Sequence, residues 1–159
     1  MVALVNAQED IDTFTTLVRE YTDGIIRQNP AAAETLESQH LEDELKNIGK
    51  KYGRPDGRTY ILLVDGKAAG CAALSRFDGR CCELKRLYVR PGYRGRHLSR
   101  VLCDQIIRDA REIGYQRMRL DTFPFMKSAI RLYEGYGFYP IERYNDNPAE
   151  NAVFMELML

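Results

Sequence analysis

Apolar residues change period several times along this chain, and each change predicts an element. Val2 to Val5 is a short apolar run, read as a strand. Ile11, Phe14, Leu17, Val18, Tyr21 and Ile25 then recur at helical spacing. Asn6 is the expected N-cap, with Glu9 completing a capping-box-like arrangement, and Asn29-Pro30 ends the helix. Residues 31–40 carry a weak pattern, and a more polar helix is expected over Leu41 to Tyr52. After the loop Gly53–Gly57 the pattern alternates. Thr59–Val64, Ala68–Phe77 and Cys81–Val89 read as three strands joined by Asp65-Gly66 and Asp78-Gly79 turns, an antiparallel meander. Leu98, Val101, Leu102, Ile106, Ala110 and Ile113 return to helical spacing, closed by Gly114. A strand over Arg117–Phe123, a helix over Met126–Tyr136 and strands over Tyr139–Tyr144 and Asn151–Leu159 complete the pattern. The order β-α-α-β-β-β-α-β-α-β-β predicts an α/β (α+β) fold: a mixed, mostly antiparallel sheet of about seven strands flanked by about four helices.

Composition narrows the possibilities. A chain of 159 residues suits one domain spanning 1–159, with a sizeable core. Its 23 basic and 23 acidic residues cancel, which argues against a general nucleic-acid binder. Cys71, Cys81, Cys82 and Cys103 show no C-x-x-C spacing and no nearby histidine, so no metal site is expected, and free thiols suit a reducing cytoplasm. Glu9 and Asp10 stand where a secretion signal would be apolar, and no apolar run approaches the ~20 residues that cross a bilayer, so no membrane partner is expected.

One charge pattern runs against the local physics. Arg94, Arg96, His97 and Arg100 crowd the first turn of the predicted helix at 98–113. A helix N-terminus carries partial positive charge, so each cation there costs about 0.3–1 kcal/mol unless an anion compensates. Free backbone N–H groups in a glycine-containing turn suit a phosphate. Walker-type G-x-x-x-x-G-K-[ST] and G-x-G-x-x-G patterns are absent, which disfavours the common nucleotide folds.

Two stretches carry a family resemblance. Arg94-Gly95-Arg96-His97-Leu98-Ser99 follows the turn pattern Arg/Gln-x-x-Gly-x-Gly/Ala, and Ala129-Ile-Arg-Leu-Tyr-Glu-Gly-Tyr-Gly-Phe138 follows Ala-x-x-Leu-Tyr-x-x-x-Gly-Phe. Together with the element order, they resemble the GNAT superfamily of acyl-CoA-dependent N-acetyltransferases. Two positions depart from the pattern: its two glycine positions are His97 and Ser99. The donors that hold phosphate are backbone N–H groups, which any non-proline residue supplies. Met126 stands where relatives often carry an asparagine that helps to hold the cofactor.

The resemblance implies a mechanism and a set of site residues. Acetyl-CoA would be the co-substrate, its pantetheine arm paired with Leu87, Tyr88 and Val89 and its pyrophosphate on the N–H groups of Arg94, Gly95, Arg96, His97, Leu98 and Ser99. Transfer to a primary amine would be direct, in a ternary complex. Glu83 matches the family's strand-borne base, and strand alternation places it on the same side as Leu87. The competing reading pairs Glu83 with Lys85 or Arg86 across a strand. Tyr133 matches a proton donor to the departing thiolate, and also fits the helix's apolar stripe. Arg86, Asp121 and Tyr144 are candidate acceptor contacts: Asp121 for an ammonium, Arg86 for a carboxylate. Each is equally an ordinary salt-bridging or surface group. His40 has no evident role.

The acceptor is expected to be a small or amino-acid-like amine. A protein or peptide acceptor is the alternative, as is a non-catalytic acyl-CoA-binding module. Relatives often dimerise, so a homodimer is a further expectation from the resemblance.

Overall fold

A computed structural model of the chain describes residues 1–38 and 40–159; Gln39, within the weakly patterned stretch, lies outside the described residues. Seven strands form one sheet: β1 Val2–Asn6, β2 Arg58–Val64, β3 Lys67–Arg76, β4 Cys81–Val89, β5 Arg117–Thr122, β6 Tyr139–Ile141 and β7 Val153–Met158. Their order is β1-β2-β3-β4-β5-β7-β6. All neighbours are antiparallel except β4 and β5, which run parallel. The helices are α1 Ile11–Gln28, α2 Ala32–Ser38, α3 Leu41–Lys46, α4 Ile48–Tyr52, α5 Leu98–Ile113 and α6 Lys127–Tyr136. No described helix is long and apolar enough to cross a membrane.

The helices sort onto the two faces of the sheet by their apolar stripes. On one face Leu98, Leu102, Ile106 and Ala110 of α5, with Tyr133 of α6, pack on Leu62, Leu74, Leu84, Met118 and Leu120. On the other, Phe14, Leu17 and Val18 of α1 and Leu45, Ile48 and Tyr52 of α3 and α4 pack on Ile61, Cys71 and Ala73. β3 is therefore covered on both sides, which explains its nearly continuous burial from Ala69 to Ser75.

The expected element order holds, and the differences are local. The first helix begins at Ile11, not behind Asn6. Asn6 caps a single 3-10 turn at Ala7–Glu9 through Gln8 N (2.9 Å), and Asp10 caps α1 through Thr13 N (3.2 Å). Ile11 is 42 % exposed and leaves the expected apolar stripe. Leu41–Tyr52 is two short helices broken at Asn47, and α2 forms where the pattern was weak, giving six helices among the described residues rather than about four. β6 stops at Ile141, and residues 142–152 cross back irregularly to β7.

Two features shape the middle of the sheet. β4 pairs with β5 only at Cys81↔Arg117, Cys82↔Met118 and Glu83↔Arg119; beyond Glu83 the strands diverge. On its other side β4 follows β3, but the register slips between Ala73↔Lys85 and Cys71↔Tyr88. That bulge centres on Arg86, whose φ of 57° lies in the left-handed region. Gly70 lets β3 stay close there, because a Cβ would meet the Tyr88 carbonyl oxygen at 2.3 Å.

Candidate active site

The divergence of β4 from β5 exposes a strand edge over Leu84–Val89 inside the molecule. That edge runs into the turn before α5, and both line one groove of about 650 Å³ with α1, Phe125, Met126 and the start of α6. Leu87, Tyr88, Val89, Arg94, Gly95, His97, Leu98 and Ser99 all line it. Arg96 does not; its guanidinium lies over the Tyr93 ring, 5.9 Å from the centroid.

The turn is built to present donors. Gly95 (φ 80°) and His97 (φ 58°) both adopt left-handed backbone, which turns successive N–H groups to one side. Among the described residues, the N–H groups of Gly95 to Ser99 find no backbone acceptor. The left-handed φ explains why glycine suits position 97. Histidine tolerates it better than most residues, at a cost of about 1 kcal/mol. Arg94 braces the turn by donating from Nε to the Val89 carbonyl (3.0 Å).

The groove's charge favours an anion. Glu20 lines the α1 wall, but Arg90 grips it at 2.6 and 2.9 Å, and this hydrogen bonding holds its carboxyl below the usual range. Arg27, Arg94, Arg100 and Lys127 contribute the remaining charge on the lining.

A second, smaller cavity of about 40 Å³ lies in the splay itself. Lys85, Arg86, Leu87, Asp121, Phe123, Tyr133 and Asn147 are among its lining residues, and it shares Tyr21, Ile25 and Leu87 with the groove. Tyr133 is buried against Phe138, and burial pushes its phenol well above the ordinary range, so it stays protonated at neutral pH. Its hydroxyl has no hydrogen-bond partner among the described residues. Asp121 Oδ2 accepts from Asn145 Nδ2 (3.0 Å) and Asn147 Nδ2 (3.2 Å).

Glu83 stands at the last paired position before the strands part, half-buried, and lines neither cavity. Its Oε2 accepts from the Tyr144 hydroxyl at 2.8 Å. Tyr144 in turn packs edge-on against Phe77 and Phe154 and beneath the Arg119 guanidinium. Burial, followed by the nearby Glu83 carboxylate, raises its phenol far above the ordinary range.

The bulge corrects two expectations. Simple alternation places Glu83 and Leu87 on one side; the extra residue at Arg86 reverses this. Leu87 packs with Cys82, Leu84 and Val89 on the α5 face, whereas Tyr88 packs with Cys71 and Ala73 on the other. Glu83 and Lys85, opposite Ser75 and Ala73, share the Tyr88 face. Arg86 is not free to receive a carboxylate. Its Nε and Nη2 donate to Glu44 of α3 at 2.9 and 3.0 Å, with side-chain exposures of 4 % and 1 %. Burial alone would raise the Glu44 pKa; the Arg86 charge and hydrogen bonds, with Lys51 at 3.0 Å, outweigh it and hold it at about 2.

Met126 lines the groove and accepts a long hydrogen bond on sulfur from Thr122 Oγ1 (3.5 Å). Sequence reasoning missed Lys85, Asn145, Asn147 and the Glu44 anchor. Lys85 had one signal, its spacing of two from Glu83; the others lie on segments whose pattern gave no indication of what they would meet.

Comparison with known proteins decides the family. Residues 18–138 match the sequence model of the Acetyltransferase (GNAT) family. The chain belongs to the GNAT family. It is 40 % identical to an uncharacterized N-acetyltransferase of Schizosaccharomyces pombe, an alignment covering 98 % of this chain and 93 % of that one. Among solved structures, an acetyltransferase from Streptococcus agalactiae superposes with a TM-score of 0.76 at 24 % identity, over 99 % of this chain and 98 % of that one. The N-acetyltransferase PseH of Campylobacter jejuni, solved in complex with acetyl coenzyme A, does so with a TM-score of 0.65 at 18 % identity, over 99 % of both chains. This protein is thus a GNAT-type N-acetyltransferase.

Proposed function

We propose that this enzyme transfers the acetyl group of acetyl-CoA directly to the primary amine of a small or amino-acid-like acceptor. The observation that carries the reading is continuity: an open strand edge, a turn of free N–H donors and a cationic lining form one groove. Such a groove fits a long, thin ligand with an amide-bearing arm and a pyrophosphate. The C. jejuni relative's bound acetyl coenzyme A supports the same ligand. When bound, acetyl-CoA supplies an activated acyl thioester.

The chain's residues supply the rest. Backbone groups of Leu87, Tyr88 and Val89 align the arm, and the N–H groups of Gly95 to Ser99 hold the pyrophosphate. An N–H of Leu87 or Val89 steadies charge on the acyl oxygen. Tyr133, with its hydroxyl free beside the splay, donates a proton to the leaving sulfur. Glu83 is the base. Because it lies just outside the small cavity, a water relays the proton from the amine, and the Tyr144 hydroxyl fixes the carboxylate's orientation. Asp121, steadied by Asn145 and Asn147, receives the incoming ammonium. The small size of that cavity supports a small acceptor over a protein side chain. Four buried free thiols suit work in a reducing cytoplasm.

Calorimetric titration with acetyl-CoA tests the cofactor half. Micromolar binding is expected, weakened about tenfold in Arg94→Ala/Arg96→Ala by loss of charge at the phosphate turn. Absence of binding by the unaltered protein would overturn the reading.

A further inference from the structure

Among the described residues, every charged group around the splay but one has a hydrogen-bond partner. Glu44 is taken by Arg86 and Lys51, and Glu83 by the Tyr144 hydroxyl. Asp121 is held by two asparagines, and Arg119 is paired with Glu156. Lys85 makes no hydrogen bond and no ion pair among the described residues, although it lines the small cavity and is only partly exposed. Register sets its position. Lys85 lies two residues beyond Glu83 on β4, and Asp121 two beyond Arg119 on β5. Since Glu83 and Arg119 are the last pair before the strands part, Lys85 and Asp121 face each other across the opening without closing to ion-pair distance.

A desolvated ammonium without a partner is costly. Burial lowers the Lys85 pKa; the Glu83 and Asp121 carboxylates favour its charge and Arg86 and Lys51 oppose it, but burial outweighs them. A small cavity lined on one side by a carboxylate and on the other by an unmatched ammonium complements a zwitterion.

Resting on the acetyl-transfer reading above, we propose that Lys85 binds a carboxylate carried next to the acceptor's reacting amine, which makes the acceptor a small amino acid rather than a simple amine. Asp121 takes the ammonium and Lys85 the carboxylate, so the two ends of the acceptor fix its orientation beneath the groove. Arg86, the cation that sequence alone suggested for this task, also borders the cavity but is committed to Glu44 of α3; the adjacent Lys85 fills the role because it borders the same cavity without an ion-pair partner.

The test uses matched acceptors: small L-amino acids, their primary amides, and the corresponding simple amines, each assayed by thiol release from acetyl-CoA. The unaltered enzyme is expected to prefer each amino acid over its amide by about 10- to 100-fold in kcat/KM, the range for a charge-assisted contact. Lys85→Met should collapse that ratio toward one, through KM for the amino acid, and Lys85→Arg should restore part of it. Acetyl-CoA binding by both variants, measured by calorimetry, reports that the fold and groove survive. Equal use of amino acids and amides by the unaltered enzyme would overturn the proposal. So would loss of turnover in Lys85→Met equally for both series, or failure to acetylate any amino acid while acetyl-CoA still binds. Failure to bind acetyl-CoA at all would instead overturn the reading beneath it.

Discussion

The two halves of the site are built from different parts of the chain. The groove wall proposed to meet the cofactor is mostly main chain: the open edge of β4 and the N–H groups of Gly95 to Ser99. The proposed acceptor side is mostly side chains, Lys85, Asp121, Tyr133, Asn147 and the Glu83–Tyr144 pair, drawn from four separate segments. A main-chain site needs a backbone path and should tolerate changes of side chain, such as His97 and Ser99. A side-chain site needs particular groups at particular places and depends on whatever anchors them. The acceptor half is therefore the fragile one, tied through the β4 bulge to the buried Arg86–Glu44 pair.

The sharpest way to break this contrast is to cut that anchor. Glu44→Ala leaves a buried guanidinium without its partner, so a loss of about 3–5 kcal/mol is expected, or roughly 10 °C in Tm. The same group predicts a pH dependence. The folded-state pKa of Glu44, about 2, lies below the ordinary value of 4.5. Its contribution is therefore full above about pH 5 and is lost as pH falls toward 2. Thermal melts at stepped pH should show the unaltered protein's advantage over Glu44→Gln shrinking across that window; an advantage independent of pH would argue against the pairing.

Next in size is Glu83→Gln. Loss of the base should lower kcat by about 100-fold or more while leaving acetyl-CoA affinity within about twofold. Rapid thiol-release assays and calorimetry separate the two effects. An unaffected kcat would move the base elsewhere, and no turnover in the unaltered protein would favour a binding module.

The smallest expected effect is the most diagnostic of a main-chain site. His97→Gly relieves the left-handed strain at the α5 N-cap, for a gain of at most about 1 kcal/mol, or a few degrees in Tm. Because the phosphate donors belong to the backbone, acetyl-CoA affinity should stay within about twofold. A tenfold loss in calorimetry would show that the imidazole is itself a ligand, and the contrast between the halves would weaken.

Local pattern by itself determined much of this protein. The period changes and the Asp-Gly turns located the seven strands and helices α1, α5 and α6. Gly114 and Gly137, with φ of 108° and 99°, end α5 and α6 where a left-handed residue was expected. The proposed cofactor half could be named from the sequence for the same reason: the strand edge, turn and helix start are contiguous from Glu83 to Ser99, and their geometry follows from local chemistry. Tertiary structure alone decided the acceptor half. Arg86 and Lys85 are adjacent cations on one strand, and nothing local separates their roles. Only the slip against β3, held by Gly70, and the carboxylate of α3 send one to a buried ion pair and leave the other at the cavity. Likewise, Tyr144 meets Glu83, and Asn147 meets Asp121, only because residues 142–152 leave the sheet and fold back beside β4 and β5. Pairings across such sequence distances are set by how the layers close on one another, a quantity that no window of the sequence contains.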